Sequence, residues 1–289
     1  YSYKSWELDT LSKRIISWIA NSNTFYHESD EKFKVIFTKV IKKQLNHLIN
    51  EIQNTESVND KMIGCSAIIM GGLSFKYQSQ YLNIGFRLLK KIIDTIFDND
   101  GFPKSRNPRL VIFYLKYFVF IRELLKDSNT EIPEYLNEII FYLGQSFDFY
   151  FDENYGGYLF NGSHNINIIE LKKYFKNNNY KFKNKLNSLG GYSILKNKKD
   201  KIIIDLGSTP EKKYSKDYQS GALSFEIFHD KEKLITNCGY FQSYDHKLNI
   251  LSKSTAAHST LSIDDRSSCK FKKDKLGSST LESAVKVTN

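Results

Sequence analysis

The chain is poor in the residues that would place it in several common classes. Three cysteines in 289 residues are too few for a disulfide-stapled scaffold, and an odd number cannot all pair. Cys65, Cys238 and Cys269 have neither Cys-x-x-Cys spacing nor a neighbouring His, so buried thiols are the expectation. Apolar runs are short: the best, from Leu110 to Ile121, is broken by Lys116 and falls below the roughly 18 residues that a membrane span needs. The glycine pairs Gly71-Gly72 and Gly190-Gly191 lack the spacing that cradles phosphate. Arginine is scarce, with six (Arg14, Arg87, Arg106, Arg109, Arg122 and Arg266) among 42 basic residues. What is plentiful is aromatic and basic. Twenty-one Phe and nineteen Tyr supply enough apolar surface to offset ordering entropy, which excludes disorder. The formal net charge is +10. Two readings of it stand: a Lys-rich, Asn-rich composition of the kind an AT-rich genome produces, or a polyanionic partner.

Hydrophobic period divides the chain. Leu8, Leu11, Ile15, Trp18 and Ile19 recur at helical spacing, and further helical runs are predicted at about 31–53, 60–74, 79–98, 108–127 and 133–147. Asp30 and Asp60 are candidate caps of the second and third runs. Pro108 and Pro133 suit first helical turns, where a missing N–H costs nothing. Six helices with short links make three helical hairpins. From about residue 186 the period becomes 2, and five strand-like segments begin at Tyr192, Lys201, Ala222, Lys233 and His258. In the third, Leu223, Phe225 and Ile227 are predicted to form the buried face, and His229-Asp-Lys-Glu to turn into the fourth. Asp264-Asp265 reads as a turn. Helices followed by strands predict an α+β chain, with a helical domain over 1–165, a linker over 166–188 and a β domain over 189–289.

The charge is concentrated between them. Residues 172–201 hold ten lysines and one acid, Asp200, nearly the whole molecular excess. Residues 172–188 lack apolar periodicity and read as loop. Tyr174, Phe175, Tyr180 and Phe182 interleave with the lysines as in single-strand binders, but no nucleic-acid fold accompanies them, so a nucleic-acid partner is disfavoured.

The stretch Asp217-Tyr-Gln-Ser-Gly-Ala-Leu-Ser-Phe-Glu-Ile, followed by Thr236-Asn-Cys-Gly and Ser254-Thr-Ala-Ala-His-Ser-Thr-Leu-Ser-Ile-Asp, resembles the C-terminal β domain of the heparinase II/III-like family. Gly190-Gly-Tyr-Ser-Ile-Leu and Ile203-Ile-Asp-Leu-Gly resemble that domain's opening strands. Asp100-Gly101 with Ser105-Arg106-Asn107-Pro108, and Leu159-Phe-Asn-Gly162, are similar to the helical part of bacterial members. The resemblance implies an incomplete (α/α) toroid of helical hairpins followed by an antiparallel β-sandwich domain. Members are much longer, so it also implies an internal piece of a bacterial envelope or periplasmic protein, lacking early toroid helices and later β-sheet.

The activity implied is lysis of a uronic-acid polymer by β-elimination: the C5 carboxylate is neutralised, the C5 proton removed and the departing O4 protonated. Donors aimed at the carboxylate serve the first step, and a Tyr or His with a tuned pKa serves the others. The resemblance assigns proton transfer to His258, with Tyr218 beside the motif as a second candidate. Asn46-His47 resembles the Asn-His pair of heparinase III-type toroids, whose Asn neutralises the carboxylate. Arg106, Asn107, His47 and Gln219 are the candidate substrate ligands, although Asn107 before a proline is also what a helix cap looks like. Two departures stand out. Where lyases carry His-x-His-x-Asp, this chain has Asp217, Gln219 and Gly221, so neither a metal nor another cofactor is expected. Where heparinase III-type toroids carry Glu-x-Ser-Pro-x-Tyr-His, it has Ser105 to Val111, with Leu110 in place of Tyr. The rival reading is therefore a non-catalytic binder of anionic envelope polysaccharide. Oligomeric state is not legible.

Overall fold

A computed structural model of the chain describes residues 3–75, 79–152, 156–230, 232–241, 247–273 and 279–285. The helices are α1 (Leu8–Ala20), α2 (Glu31–Glu51), α3 (Val58–Ser74), α4 (Ser79–Ile96), α5 (Pro108–Asp127), α6 (Glu134–Tyr150), α7 (Ile169–Asn177) and α8 (Lys247–Leu251). The strands are β1 (Phe151–Asp152), β2 (Gly156–Gly157), β3 (Ser188–Leu189), β4 (Tyr192–Lys196), β5 (Asp200–Asp205), β6 (Phe225–His229), β7 (Glu232–Ile235), β8 (Cys269–Lys273) and β9 (Ser279–Ala284). All pairings are antiparallel: β1 with β2, a five-stranded meander β3-β4-β5-β6-β7, and β8 with β9. No helix among the described residues is long and apolar enough to cross a membrane. Helices then antiparallel sheets is the α+β order that the change of period predicts.

The chain divides into two compact units, Tyr1–Thr95 with Lys116–Glu138, and Ile96–Leu115 with Ile139–Asn289. The centre of the first is α3, buried from Met62 to Gly72 because its sequence is apolar on every side. α1 turns Leu11 and Ile15 inward and packs on α3. α2 comes close enough that a Cβ on Gly71 would lie 2.5 Å from the Leu45 side chain. The Asp30 carboxylate caps α2 by accepting from the Phe33 amide at 2.6 Å. The cap of α3 is Ser57, not Asp60: its hydroxyl accepts from the Asp60 amide at 3.3 Å, which puts Asp60 in the first turn, where a negative charge faces the helix dipole.

In the second unit three expectations fail. Residues 169–177 form α7 instead of loop: Phe175 is its one buried residue, a pattern too sparse to register as periodic. On β6 the buried face is Ser224, Glu226 and Phe228, the register opposite to the one that Leu223, Phe225 and Ile227 suggest, because the polar alternates have partners inside. The segment after His258 is not a strand; His258 closes a single 3₁₀ turn, Thr255–Ala257. The predicted turn after His229 does join β6 to β7, with His229 opposite Glu232. Asp264 and Asp265 both have positive φ, 51° and 52°, between bridged Ile263 and Arg266, as a two-residue hairpin turn requires.

Candidate functional site

The second unit has a polar interior at the start of α5. Arg106 sits at φ 57° and is buried. Its guanidinium donates to the Asp205 carboxylate at 2.6 Å and to the carbonyls of Gly190, Ser208 and Gly191 at 3.2–3.3 Å, and it lies 4.6 Å from the centre of the Tyr192 ring. Asn161 donates to the other Asp205 oxygen at 2.9 Å and to the Tyr192 hydroxyl at 2.5 Å. That hydroxyl donates to the Arg106 carbonyl at 2.9 Å. Arg106 is thus a structural cation and not the carboxylate ligand expected. Asn107 is a helix cap: Oδ1 accepts from the Arg109 amide and Nδ2 donates to Asp217, both at 3.0 Å, with the residue fully buried.

The three motif pieces of the β domain meet through hydrogen bonds. The buried Glu226 carboxylate accepts from the Thr236 hydroxyl at 2.7 Å, the Asn237 amide at 3.0 Å and the Leu159 amide at 3.2 Å. The Asn237 side chain accepts from the Ser259 amide at 3.0 Å. Burial raises the Glu226 pKa, while these donors pull it down. A motif that reads as chemistry in sequence is, at Glu226 and Asn237, the fastener that fixes where His258 stands.

His258 is half-buried, and its Nε2 lies 2.9 Å from the Ser252 carbonyl. A carbonyl only accepts, so Nε2 carries the hydrogen and Nδ1 of the neutral ring carries the lone pair. Burial lowers the ring's pKa, which favours this neutral form. Gln219 donates to the same Ser252 carbonyl at 2.9 Å and to Gly239 at 3.0 Å, and accepts from the Gly162 amide at 3.0 Å. It has no donor left for a substrate; it is a positioning residue for His258. Gly221 also faces the imidazole, since a Cβ there would lie 3.5 Å from Nδ1. Of the three positions aligned with the His-x-His-x-Asp run, Gln219 and Gly221 stand beside His258, whereas the Asp217 carboxylate is engaged by Asn107 and Arg109; an amide, a glycine and one imidazole do not fit zinc. Among the described residues no group of three His, Cys, Asp or Glu is placed to hold a metal.

Tyr218 corrects a further expectation. It is 1% exposed, packed with Cys269 and Leu281, and burial pushes its phenol far above its usual range, so it has neither the access nor the acidity to move a substrate proton. Sequence reasoning missed the polar cluster next to it. Arg109, one residue into α5 from the capped Pro108, has its guanidinium 3.7 Å from Asp217 and 6.0 Å from the centre of the Tyr240 ring. His164 has a buried Nδ1 without a hydrogen-bond partner among the described residues, and burial and the Arg109 charge lower its pKa. Lys253 extends over Phe271, donates to the Lys216 and Ser279 carbonyls at 2.5 and 2.8 Å, and is pulled down by burial to about 8. The available signal was proximity in sequence: Arg109 follows Asn107-Pro108, and Lys253 precedes the Ser-Thr-Ala-Ala-His run.

In the first unit Asn46 is exposed at the end of a groove along α2 of about 650 Å³, whose lining includes Tyr26, Lys34, Lys39, Lys42 and Lys43. Its Oδ1 accepts from the Tyr81 hydroxyl at 2.6 Å, which turns its two amide hydrogens outward. His47 points elsewhere: its ring stacks edge-on against Trp6 at 5.0 Å, a packing role in place of the substrate contact expected.

Residues 184–288 match the sequence model of the family described as Heparinase II/III-like, C-terminal. No curated protein matches the chain. Among solved structures, the chain is similar to a heparinase III at TM-score 0.71 and 17% identity, over 93% of this chain and 49% of that one. A second heparinase III superposes at TM-score 0.76 and 15% identity, over 91% and 46%. A heparan sulfate lyase from Pedobacter heparinus does so at 0.71 and 15%, over 93% and 48%. The chain spans about half the length of these proteins. At such identities the likeness establishes the fold, a helical toroid layer followed by antiparallel sheets.

Proposed function

We propose that the chain is the catalytic portion of a polysaccharide lyase acting on an anionic uronic-acid polymer by β-elimination, in the envelope or periplasm of a bacterium. The observation that carries it is His258, kept neutral with Nε2–H bound to Ser252 inside the segment that matches the lyase-related domain. Its Nδ1 takes the C5 proton, the C5 electron pair forms the C4–C5 double bond, and the C4–O4 bond breaks with a proton passing to O4. Tyr240, beside the Arg109 cation, replaces Tyr218 as the phenol suited to that last transfer. Arg109, 3.7 Å from Asp217, supplies a positive donor for the substrate carboxylate. The full chain incubated with heparan, chondroitin, alginate and glucuronan is expected to generate the ultraviolet absorbance of an unsaturated uronate. His258→Ala is expected to lower the rate on the order of 10²–10⁴-fold with binding retained. Absence of absorbance on every polymer overturns the reading.

A second reading rests on Leu110, which stands where heparinase III-type toroids carry a tyrosine, and on the commitment of Arg106 and Gln219 to structural bonds. It is a binder that holds the polymer without cutting it, and it predicts salt-sensitive retention of polysaccharide and no product.

A further inference from the structure

The lysine cluster at 172–185 takes no part in the chemistry above. α7 exposes Lys173 and Lys176. Beyond it, exposure alternates: Lys181, Lys183 and Lys185 are exposed, while Phe182 and Asn184 are half-buried. Alternation is the signature of an extended segment with one face down, so successive lysines stand about 6.6 Å apart in a row. The row is anchored. The Asn184 amide donates to the Asp148 carboxylate on α6 at 2.8 Å, and Phe182 lies directly over Gly144, where any side chain would collide with its ring. Phe182 also meets Phe175 edge-on at 5.2 Å and Phe147 at 6.3 Å. Among the described residues Lys181, Lys183 and Lys185 form no ion pair, although Asp148 lies beneath them on the backbone of Asn184.

The direction of the aromatics selects the ligand. A sequence of lysines interleaved with Phe and Tyr suits single-stranded nucleic acid only if the rings are presented to the bases, since stacking supplies much of that affinity. Here Phe175 is buried and Phe182 is turned onto Gly144 of α6, while the half-buried Tyr174 and Tyr180 pack against those two rings at 5.7 Å, so the exposed residues of the segment include the lysines named above and none of the four rings. Lysine, unlike arginine, does not fix a planar bidentate geometry, and suits carboxylates or sulfates repeating along a flexible chain. We propose that Lys173, Lys176, Lys181, Lys183 and Lys185 form a second glycan-binding surface that holds a linear acidic polysaccharide. Its residues belong to α7 and the extended segment after it, none of which carries a residue assigned to cleavage. It needs the partner to be a linear acidic glycan and does not need the chain to cleave it.

The test uses the full chain with Lys181, Lys183 and Lys185 all changed to Gln, beside a second variant with Lys34, Lys39 and Lys42 on α2 changed to Gln. Binding of a long heparan sulfate and of an oligonucleotide of equal charge is measured by calorimetry over a range of salt. The first variant is expected to lose heparan sulfate affinity on the order of tenfold at low salt, with a shallower dependence of log K on log salt, because fewer counterions are released. A circular dichroism spectrum matching that of the parent shows that exposed substitutions left the fold intact. If the chain cleaves, the first variant raises KM for polymer while kcat for a short oligosaccharide stays unchanged, so failure of cleavage and failure of this surface are read separately. Unchanged heparan sulfate affinity and salt slope in the first variant overturn the proposal, as does tighter binding of the oligonucleotide than of the glycan.

Discussion

The interiors of the two units are built from different material. In the first, α3 is wrapped in Leu11, Ile15, Leu45, Leu48 and Ile52, all without exposure, and stability comes from apolar area and close packing. In the second, fully or nearly buried Arg106, Asp205, Asn161, Gln219 and Glu226 hold α5, the strands and the 160s loop together through hydrogen bonds. A core of the first kind degrades gradually as methylenes are removed. A core of the second kind depends on pairing, because each member left without its partner pays the cost of desolvation alone.

The largest expected effect follows from that dependence. Asp205→Ala strands the Arg106 guanidinium and removes an acceptor from Asn161, and is expected to cost about 3–5 kcal/mol in urea denaturation monitored over the second unit. Replacing both members, Arg106→Met with Asp205→Leu, is expected to be milder than Asp205→Ala alone, since no buried charge remains. A double variant as unstable as the single one breaks the distinction between the two interiors.

Two smaller substitutions sharpen it. Leu45→Ala in the first unit leaves a cavity against Gly71 and is expected to cost about 2–5 kcal/mol, with no pH dependence of its own. Glu226→Gln changes little volume, yet its NH₂ must face either the Leu159 amide or the Thr236 and Asn237 donors. About 1–3 kcal/mol is expected, read as a lower denaturation midpoint at unchanged m-value. A neutral outcome for Glu226→Gln means that the motif-linking bonds do not fasten the second unit.

The same contrast explains what could be read from the sequence. Helices such as α1 were legible because their buried faces are apolar at a period of 3.6, α3 because it is a long apolar run with a capped start, and Asp30 and Asn107-Pro108 carry their cap chemistry openly. The face of β6 was misread because periodicity detects apolar burial, and here the inward residues are Ser224 and Glu226. Segment 172–188 was misread for a related reason: α7 buries only Phe175, and the extended stretch after it is anchored by Phe182 and a backbone bond to Asp148. The candidate site divided along this line too. Asn46 keeps an exposed side chain and His258 a half-buried imidazole, whereas Arg106, Asn107, Gln219 and Tyr218 are buried among structural partners. Nothing in residue type separates an arginine that binds substrate from one buried against Asp205, 99 residues away along the chain; only that long-range pairing does, and local sequence does not carry it.

The smallest effect concerns protons. His258 is held below its ordinary pKa by burial, so the folded protein binds fewer protons there than the unfolded chain does as pH falls through about 6.5. By linkage the contribution of His258 to stability is complete above that pH and is lost as pH drops toward the folded value, below which it levels off. His229 acts in the opposite sense, because its bond with Asp200 raises its pKa, although both partners are exposed and salt screens the pair. In a His229→Gln background, denaturation midpoints are therefore expected to fall between pH 6.5 and 5, and adding His258→Gln should flatten that slope. A slope that persists without His258 assigns the titration to another buried group, His164 beside Arg109 being the first to test by the same substitution.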